Sequence, residues 1–575
     1  MEAWLEGLGE SMAGSLRVAA ERWDATDGTR RLWGKDPSLW TGGDEARWLG
    51  WLDGPRTSHE TLDALTAFAA RVREDGLTDV LLLGMGGSSL CPEVLGETFG
   101  ILPGGLRLHV LDSTDPAQVQ STVGAVDLAR ILVVVASKSG STLEPNIFHA
   151  HVRDRMRAAV GREHAGRHFV AITDPGSKLE RVAGDEGFRR VFTGDPEVGG
   201  RYSALSPFGL VPAALIGLDL RRWIRAAGAM ADRCGPARKV RDNPAARLGL
   251  ILGTAANEGR DKLTLIVSPR IYDFGAWLEQ LVAESTGKNG KAIIPVDREP
   301  AGPPGVYGAD RLFVYVRLAS ETDSAQEASV AALQRSGHPV VRLDLDAPDQ
   351  LAGEFFRWEV ATAVAGAIMG INPFDQPDVE ASKIETRKLT DDVERTGKLP
   401  EEPPSLEDGG LRFFTDAANA RALQREAGSP AASEWIRAHL TRLGPGDYFA
   451  LLAYLPMTAA HETVLQRLRA RVRDARRVAT CLGFGPRFLH STGQAYKGGP
   501  ASGVFLQITC EDADDVPVPG TGYTFGVVKA AQARGDFQVL VTRGRRALRV
   551  HLGRDVASGL EALDRLVEGA LEREG

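Results

Sequence analysis

The sequence predicts an α/β protein with two doubly wound parallel sheets and a C-terminal α/β module. Three observations lead there. Short β-branched runs of strand length, such as Val133-Val134-Val135 and Leu263-Thr264-Leu265-Ile266-Val267, alternate with helical stretches, the rhythm of parallel strands joined by crossovers. Several runs stop at glycines and small hydroxyl residues, which places ligand loops at strand carboxyl ends. At 575 residues the chain exceeds what one core can bury, and its length suggests roughly three to four domains. The expected units are 1–225, 226–400 and 411–575, with Leu399–Gly410, carrying three prolines and four acids, as a linker.

Composition narrows the function. A hydrophobic content of 43% and a charged content of 25% are those of a globular protein. The net charge of −8 argues against nucleic acid or an anionic membrane as a partner, while leaving a small anion open. Cys91, Cys234, Cys481 and Cys510 lie far apart, so neither a zinc site nor a disulfide framework is expected. Early acids (Glu2, Glu6, Glu10) are unlike a signal peptide, and no run of about 18 apolar residues would span a bilayer. A reducing cytoplasm fits these features.

Met1 to about Arg56 reads as helical, its tryptophans (Trp33, Trp40, Trp48, Trp51) as core anchors. Leu62, Leu65, Phe68, Ala69 and Val72 form a helical face leading into the strand Asp79–Leu83. That strand ends in Gly84-Met85-Gly86-Gly87-Ser88-Ser89, whose glycines let backbone approach a ligand closely. A dinucleotide fold is the rival here; the spacing is not GxGxxG, and Asp112 lies beyond the usual interval for a ribose acid. Strands at Leu106–Leu111, around Val133 and at Phe169–Thr173 continue the sheet. The Val133 strand runs into Ser137-Lys138-Ser139-Gly140-Ser141-Thr142, with Pro145 in the first turn of a helix. One helix cap needs one hydroxyl; four within six residues, with backbone N–H groups and the positive helix end, make a phosphate receptor.

Gly199-Gly200-Arg201 reads either as a surface turn or as a charge beside that crevice. A helix from Asn243, the strand Leu263–Ser268, and a helix bearing Trp277, Leu278, Gln280, Leu281 and Glu284 open the second unit. On its own Glu284 would be taken for a solvated helix residue. Strands Arg311–Leu318 and Val340–Leu345 flank a helix at Ala325–Arg335, and a long helix from Gly353 precedes Asn372–Lys383. The third unit carries a helix near Glu462–Arg473, the segment Leu489-His490-Ser491-Thr492-Gly493-Gln494, and the sequence strand Val504–Thr509, helix Thr524–Ala533, strand Ala547–Leu552.

Five stretches together resemble the phosphoglucose isomerase family, which is built from sugar-isomerase (SIS) domains. They are GMGGSSLCP (Gly84–Pro92), SKSGST (Ser137–Thr142), GGRYS (Gly199–Ser203), QLVAESTGK (Gln280–Lys288) and NPFDQPDVEASK (Asn372–Lys383), in the family's order. The chain looks most like the isomerase portion of fused transaldolase–phosphoglucose isomerase proteins; a transaldolase half is not expected, because the isomerase pattern begins before residue 90. The resemblance implies two SIS-type sheets, no cofactor and no metal. It also implies isomerisation of glucose 6-phosphate and fructose 6-phosphate. It assigns Ser88, Ser137, Lys138, Ser139 and Thr142 to the phosphate, and Gly87, Gly200 and Gln280 to the rest of the substrate. Glu284 is the base between C2 and C1, a role suited to a carboxylate that burial can tune. Arg201 stabilises the enediolate without competing for its proton. His490 and Lys383 open the sugar ring.

One departure stands out. In the family a catalytic histidine lies between the glutamate and lysine motifs, where this chain has only His338, in a plain turn. The His490 segment resembles the histidine-bearing segment of bacterial members, yet it follows Lys383. In family dimers that histidine comes from the partner subunit; here the third unit is expected to supply it in cis, so that either a monomer or a homodimer would serve. The rivals are another SIS-type isomerase acting on mannose or amino-sugar phosphates, a non-catalytic sugar-phosphate sensor, and a nicotinamide-dependent dehydrogenase.

Overall fold

A computed structural model describes residues 3–572; Glu2 and the outermost residues of the first and third expected units lie outside them. The first sheet contains β1 (Asp79–Leu83), β2 (Arg107–Leu111), β3 (Ile131–Ala136), β4 (Phe169–Thr173) and β5 (Arg190–Thr193), in the order β2-β1-β3-β4-β5, all parallel. β3 is central, and Val133, Val134 and Val135 are fully buried, each worth about 1.5–3 kcal/mol of burial. Burial on both faces explains why this strand is a continuous apolar run rather than an alternating one. Leu83 of β1 pairs with Val135 of β3. The Gly84–Ser89 and Ser137–Thr142 loops therefore leave adjacent strand ends, at the point where strand order reverses.

The second sheet has β6 (Lys262–Val267), β7 (Ile294–Val296), β8 (Arg311–Leu318) and β9 (Val340–Leu345), in the order β7-β6-β8-β9 and again all parallel. The third is mixed. It contains β10 (Leu406–Asp408), β11 (Leu411–Phe414), β12 (Tyr448–Tyr454), β13 (Ala479–Phe484), β14 (Gly503–Thr509) and β15 (Arg546–His551), ordered β10-β11-β15-β14-β12-β13. β12 to β15 are parallel, and β11 runs antiparallel to both β10 and β15.

This corrects the reading of Leu399–Gly410 as a linker throughout. Gly409 and Gly410 both adopt positive φ, the two-residue turn that closes a hairpin, so Leu406–Asp408 joins the sheet edge. No described helix is long and apolar enough to cross a membrane.

The largest core runs without a break through the first two sheets and the N-terminal tryptophan segment. At its centre the Pro244–Asn257 and Leu351–Met369 helices approach so closely that a Cβ on Gly249 would lie 2.4 Å from the Ala361 carbonyl oxygen. The third sheet is tied to both others. One of its faces shares a core with Ala283, Ile294 and Val296, and Val516, Val518, Phe525 and Val528 pack under the first sheet. That docking carries the His490 segment to the crevice.

Candidate active site

The Gly84–Ser89 turn is wedged among three other segments. A Cβ on Gly87 would lie 2.1 Å from the Gly200 carbonyl oxygen, and one on Gly86 would lie 2.8 Å from Gln280 Nε2 and 3.0 Å from His490 Cβ. Only glycine permits these approaches. Four segments far apart in sequence thus meet at one point, and Ser88 sits half-buried beside them.

In the neighbouring loop, Ser137 is buried, with its hydroxyl 3.5 Å from Thr142 Oγ1, while Ser139 and Ser141 hydroxyls are 2.8 Å apart. Thr142 holds the cap position of the Leu143–Val160 helix but makes no side-chain capping bond, so its hydroxyl stays available to a ligand. Lys138 turns elsewhere. Its ammonium pairs with Asp174 and donates to the carbonyls of Asp195 (3.4 Å) and Pro196 (3.2 Å), which ties the loop to the end of β4.

Glu284 lies on the Phe274–Thr286 helix and is 8% exposed. Its Oε1 is 3.3 Å from Arg201 Nη1, and its Oε2 accepts from Gln280 Nε2 at 3.2 Å. Buried rather than solvated, it is set apart from an ordinary surface helix glutamate. Arg201 is likewise buried. Nε donates to Ser285 Oγ at 2.7 Å, Nη1 to Gln376 Oε1 at 2.9 Å, and Nη2 to the Pro373 and Asp375 carbonyls at 2.8 and 3.1 Å. These four hydrogen bonds and the Glu284 pair bury the fork among acceptors, so the surface-turn alternative falls.

His490 stands in the same crevice, contributed by the same chain. Its backbone carbonyl accepts from Gln280 Nε2 at 2.7 Å, and its Nε2 donates to Glu144 Oε1 at 3.1 Å. A carboxylate partner requires hydrogen on Nε2, which makes Nδ1 the lone-pair nitrogen of the neutral ring. Glu144 was not singled out from the sequence, although it lies two residues beyond the hydroxyl cluster. Burial alone would raise its carboxyl; His490, by charge and hydrogen bond, with Lys383 adding its charge, brings it below the ordinary value. Gln532 Nε2 also donates to Glu144 Oε1 at 2.7 Å and is itself anchored by Thr114 Oγ1 at 2.7 Å.

Lys383 lies on the exposed side of the Pro377–Thr396 helix, its Nζ 3.5 Å from Glu380. Gln494 binds that helix to the glutamate helix. Its Oε1 accepts from Asp378 N at 2.9 Å, and its Nε2 donates to the Gly287 carbonyl at 2.8 Å. Lys288, a further residue the sequence did not single out, is buried. It donates to the Asn372 carbonyl at 2.6 Å and pairs with Asp375 at 2.9 Å; burial and the nearby Arg201 charge lower it to about 7. Perturbed groups gathered in one crevice mark functional sites.

The family model for phosphoglucose isomerase matches residues 63–297, a span that holds Ser88, the Ser137–Thr142 loop, Arg201 and Glu284. A glucose-6-phosphate isomerase of Rubrobacter xylanophilus is 32% identical over 385 residues, covering 58% of this chain and 87% of that protein. One from Citrifermentans bemidjiense is 31% identical over 412 residues, covering 59% of this chain and 74% of that protein. Among solved structures, a hypothetical protein of Thermus thermophilus superposes with TM-score 0.56 at 26% identity, over 66% of this chain and 98% of that one. A glucose-6-phosphate isomerase from Chlamydia trachomatis shares the fold at TM-score 0.50 and 22% identity, over 65% of this chain and 79% of that one.

Proposed function

This chain belongs to the phosphoglucose isomerase family and interconverts glucose 6-phosphate and fructose 6-phosphate, and we propose that Glu284 carries the proton between C2 and C1. The observation that supports this role is the buried Glu284 carboxylate, 3.3 Å from a guanidinium and linked through Gln280 to the His490 backbone. The same cation then faces the negative charge that develops on the enediolate.

The phosphate of the open-chain sugar would rest on Ser88, Ser137, Ser139 and Thr142, with loop N–H groups and the amino end of the Leu143–Val160 helix adding positive potential. Lys138 would steady the loop from behind rather than touch the phosphate. His490 Nδ1, oriented by Glu144, would pass a proton to or from the ring oxygen as the ring opens, with Lys383 at the mouth. Gln280 and the backbone of Gly87 and Gly200 would border the sugar. We propose the three spans 1–225, 226–400 and 411–575 as the working units of this enzyme, acting in the cytoplasm with its four cysteines as thiols, on a small-molecule substrate and without nucleic acid.

A coupled assay converting fructose 6-phosphate to glucose 6-phosphate tests the reading, with mannose and glucosamine phosphates as competitors for the specificity. Glu284→Gln should lower kcat by at least the roughly 10²–10⁴-fold of a lost general base while leaving sugar-phosphate binding nearly unchanged. Turnover at the parent rate in that variant would refute the base assignment.

A further inference from the structure

The third sheet repeats the geometry that sets the catalytic loops on the first. β13 lies on one flank of β12 and β14 on the other, so strand order reverses at the carboxyl ends of β12 and β14. Open α/β sheets hold ligands at such a point. A cavity of about 230 Å³ opens there, bordered by Tyr454, Thr509, the Phe525–Thr542 helix and the stretch 399–402. None of the groups assigned to the isomerase pocket lines it.

Two guanidinium groups converge in this cavity on one carboxylate. Glu402 Oε2 pairs with Arg534 Nε at 3.2 Å and also with Arg549. Arg549 is buried, its guanidinium carbon 4.4 Å from the centre of the Phe414 ring, which fixes the plane of the fork. Neighbouring cations are already matched, Lys529 by Asp115 and Asp512, and Arg412 by Glu511. Arg534 and Arg549 are thus left to share a single carboxylate oxygen, Glu402 Oε2. On the same wall His551 Nδ1 is 3.0 Å from Thr509 Oγ1, while its buried Nε2 has no hydrogen-bond partner and stands 3.8 Å from Glu511. Burial, with Arg412 nearby, lowers His551 to about 4, so at neutral pH it is an uncharged donor or acceptor.

A phosphate monoester carries about 1.5–2 negative charges at pH 7, against one for a carboxylate, and its three oxygens suit two guanidinium forks. It would give Arg534 and Arg549 a separate charged oxygen each, where Glu402 gives them one Oε2 to share. The cavity is smaller than the roughly 300–1,000 Å³ of typical drug-sized sites, which limits the rest of the ligand to a few carbon atoms. We propose that this cavity is a second binding site, separate from the isomerase pocket, for a small phosphate monoester, and that Glu402 is the tethered group such a ligand displaces.

Calorimetric titration of the full chain with glycerol 3-phosphate tests it in the parent, Glu402→Gln, and the Glu402→Gln/Arg534→Gln double variant. Phosphate bound in the isomerase pocket is common to all three and cancels in the comparison. Removing a competitor whose effective concentration is in the millimolar range should tighten binding about tenfold in Glu402→Gln. The double variant should lose that gain, and malonate should gain less than the phosphate. Equal affinity in all three proteins overturns the site, and a larger gain for malonate overturns the choice of phosphate. Should Glu402→Gln fail to fold, Arg534→Gln alone decides: loss of a weak second site present in the parent supports the proposal, and its retention refutes it.

Discussion

Two glutamates on the Phe274–Thr286 helix show how surroundings set a carboxyl's behaviour. Glu284 lies beside Arg201, whereas Glu279 is partly buried near Asp297 and accepts from Ser491 Oγ at 3.2 Å. Burial first, and then the Asp297 charge, push Glu279 up to about 8, so it is protonated at neutral pH. The folded state thus holds this proton more tightly than the unfolded chain. Its contribution to stability is full below the unfolded value, falls as pH rises toward about 8, and is gone above it. Glu279→Gln should abolish that decline. Between pH 5 and 8.5 the parent should lose roughly 1–3 kcal/mol more than the variant, the partial exposure of the side chain tempering the figure. Urea midpoints at the two pH values measure it, and equal losses would assign the decline to another group. Glu284 itself was legible only through the family motif, because a lone glutamate on a helix carries no sign of what it will face.

At the level of elements, the close contact of two glycine turns makes a sharper demand than any hydrogen bond in the pocket. Gly87→Ala would drive a methyl group to 2.1 Å from the Gly200 carbonyl oxygen, so the Gly84–Ser89 turn and the Arg201 turn must separate. A shift of about 1 Å in reacting groups can cost 10²-fold, and kcat/KM should fall by that order while far-UV circular dichroism stays at the parent level. Unchanged kinetics would show that the turns have room to move. The strands β1, β4, β8 and β9 match their sequence reading residue for residue, because each is a strand-length stretch rich in apolar residues, continuous or alternating, between turn signals. β7 and β12 were not read as strands, for different reasons. Ile294-Pro295-Val296 is too short and contains proline, and Tyr448–Tyr454 is buried along its whole length, which periodicity alone does not distinguish from a core helix.

Across the whole molecule, the decisive contact is the one that brings the third sheet against the other two. It delivers His490 and Gln532 to Glu144 within one chain. Mixed refolding of Glu284→Gln with His490→Ala should therefore restore no activity, since each chain would complete only its own site. Recovery in the coupled assay would place the histidine across a subunit boundary and reverse the cis assignment.

The residue order alone established the alternation of strands and helices, the parallel sheets they imply, and the two small-residue loops at strand ends. These follow from local rules: apolar periodicity, the conformational freedom of glycine, and hydroxyls ahead of a helix. Folding in three dimensions decided what those rules leave open. It decided that Glu284 is buried against Arg201, that Glu144 orients His490, that Lys138 faces Asp174, and that part of an apparent linker completes a sheet edge. Each of these depends on a group from a distant segment supplying the missing charge, hydrogen bond or steric wall, and such partners are recorded in no local stretch of the chain.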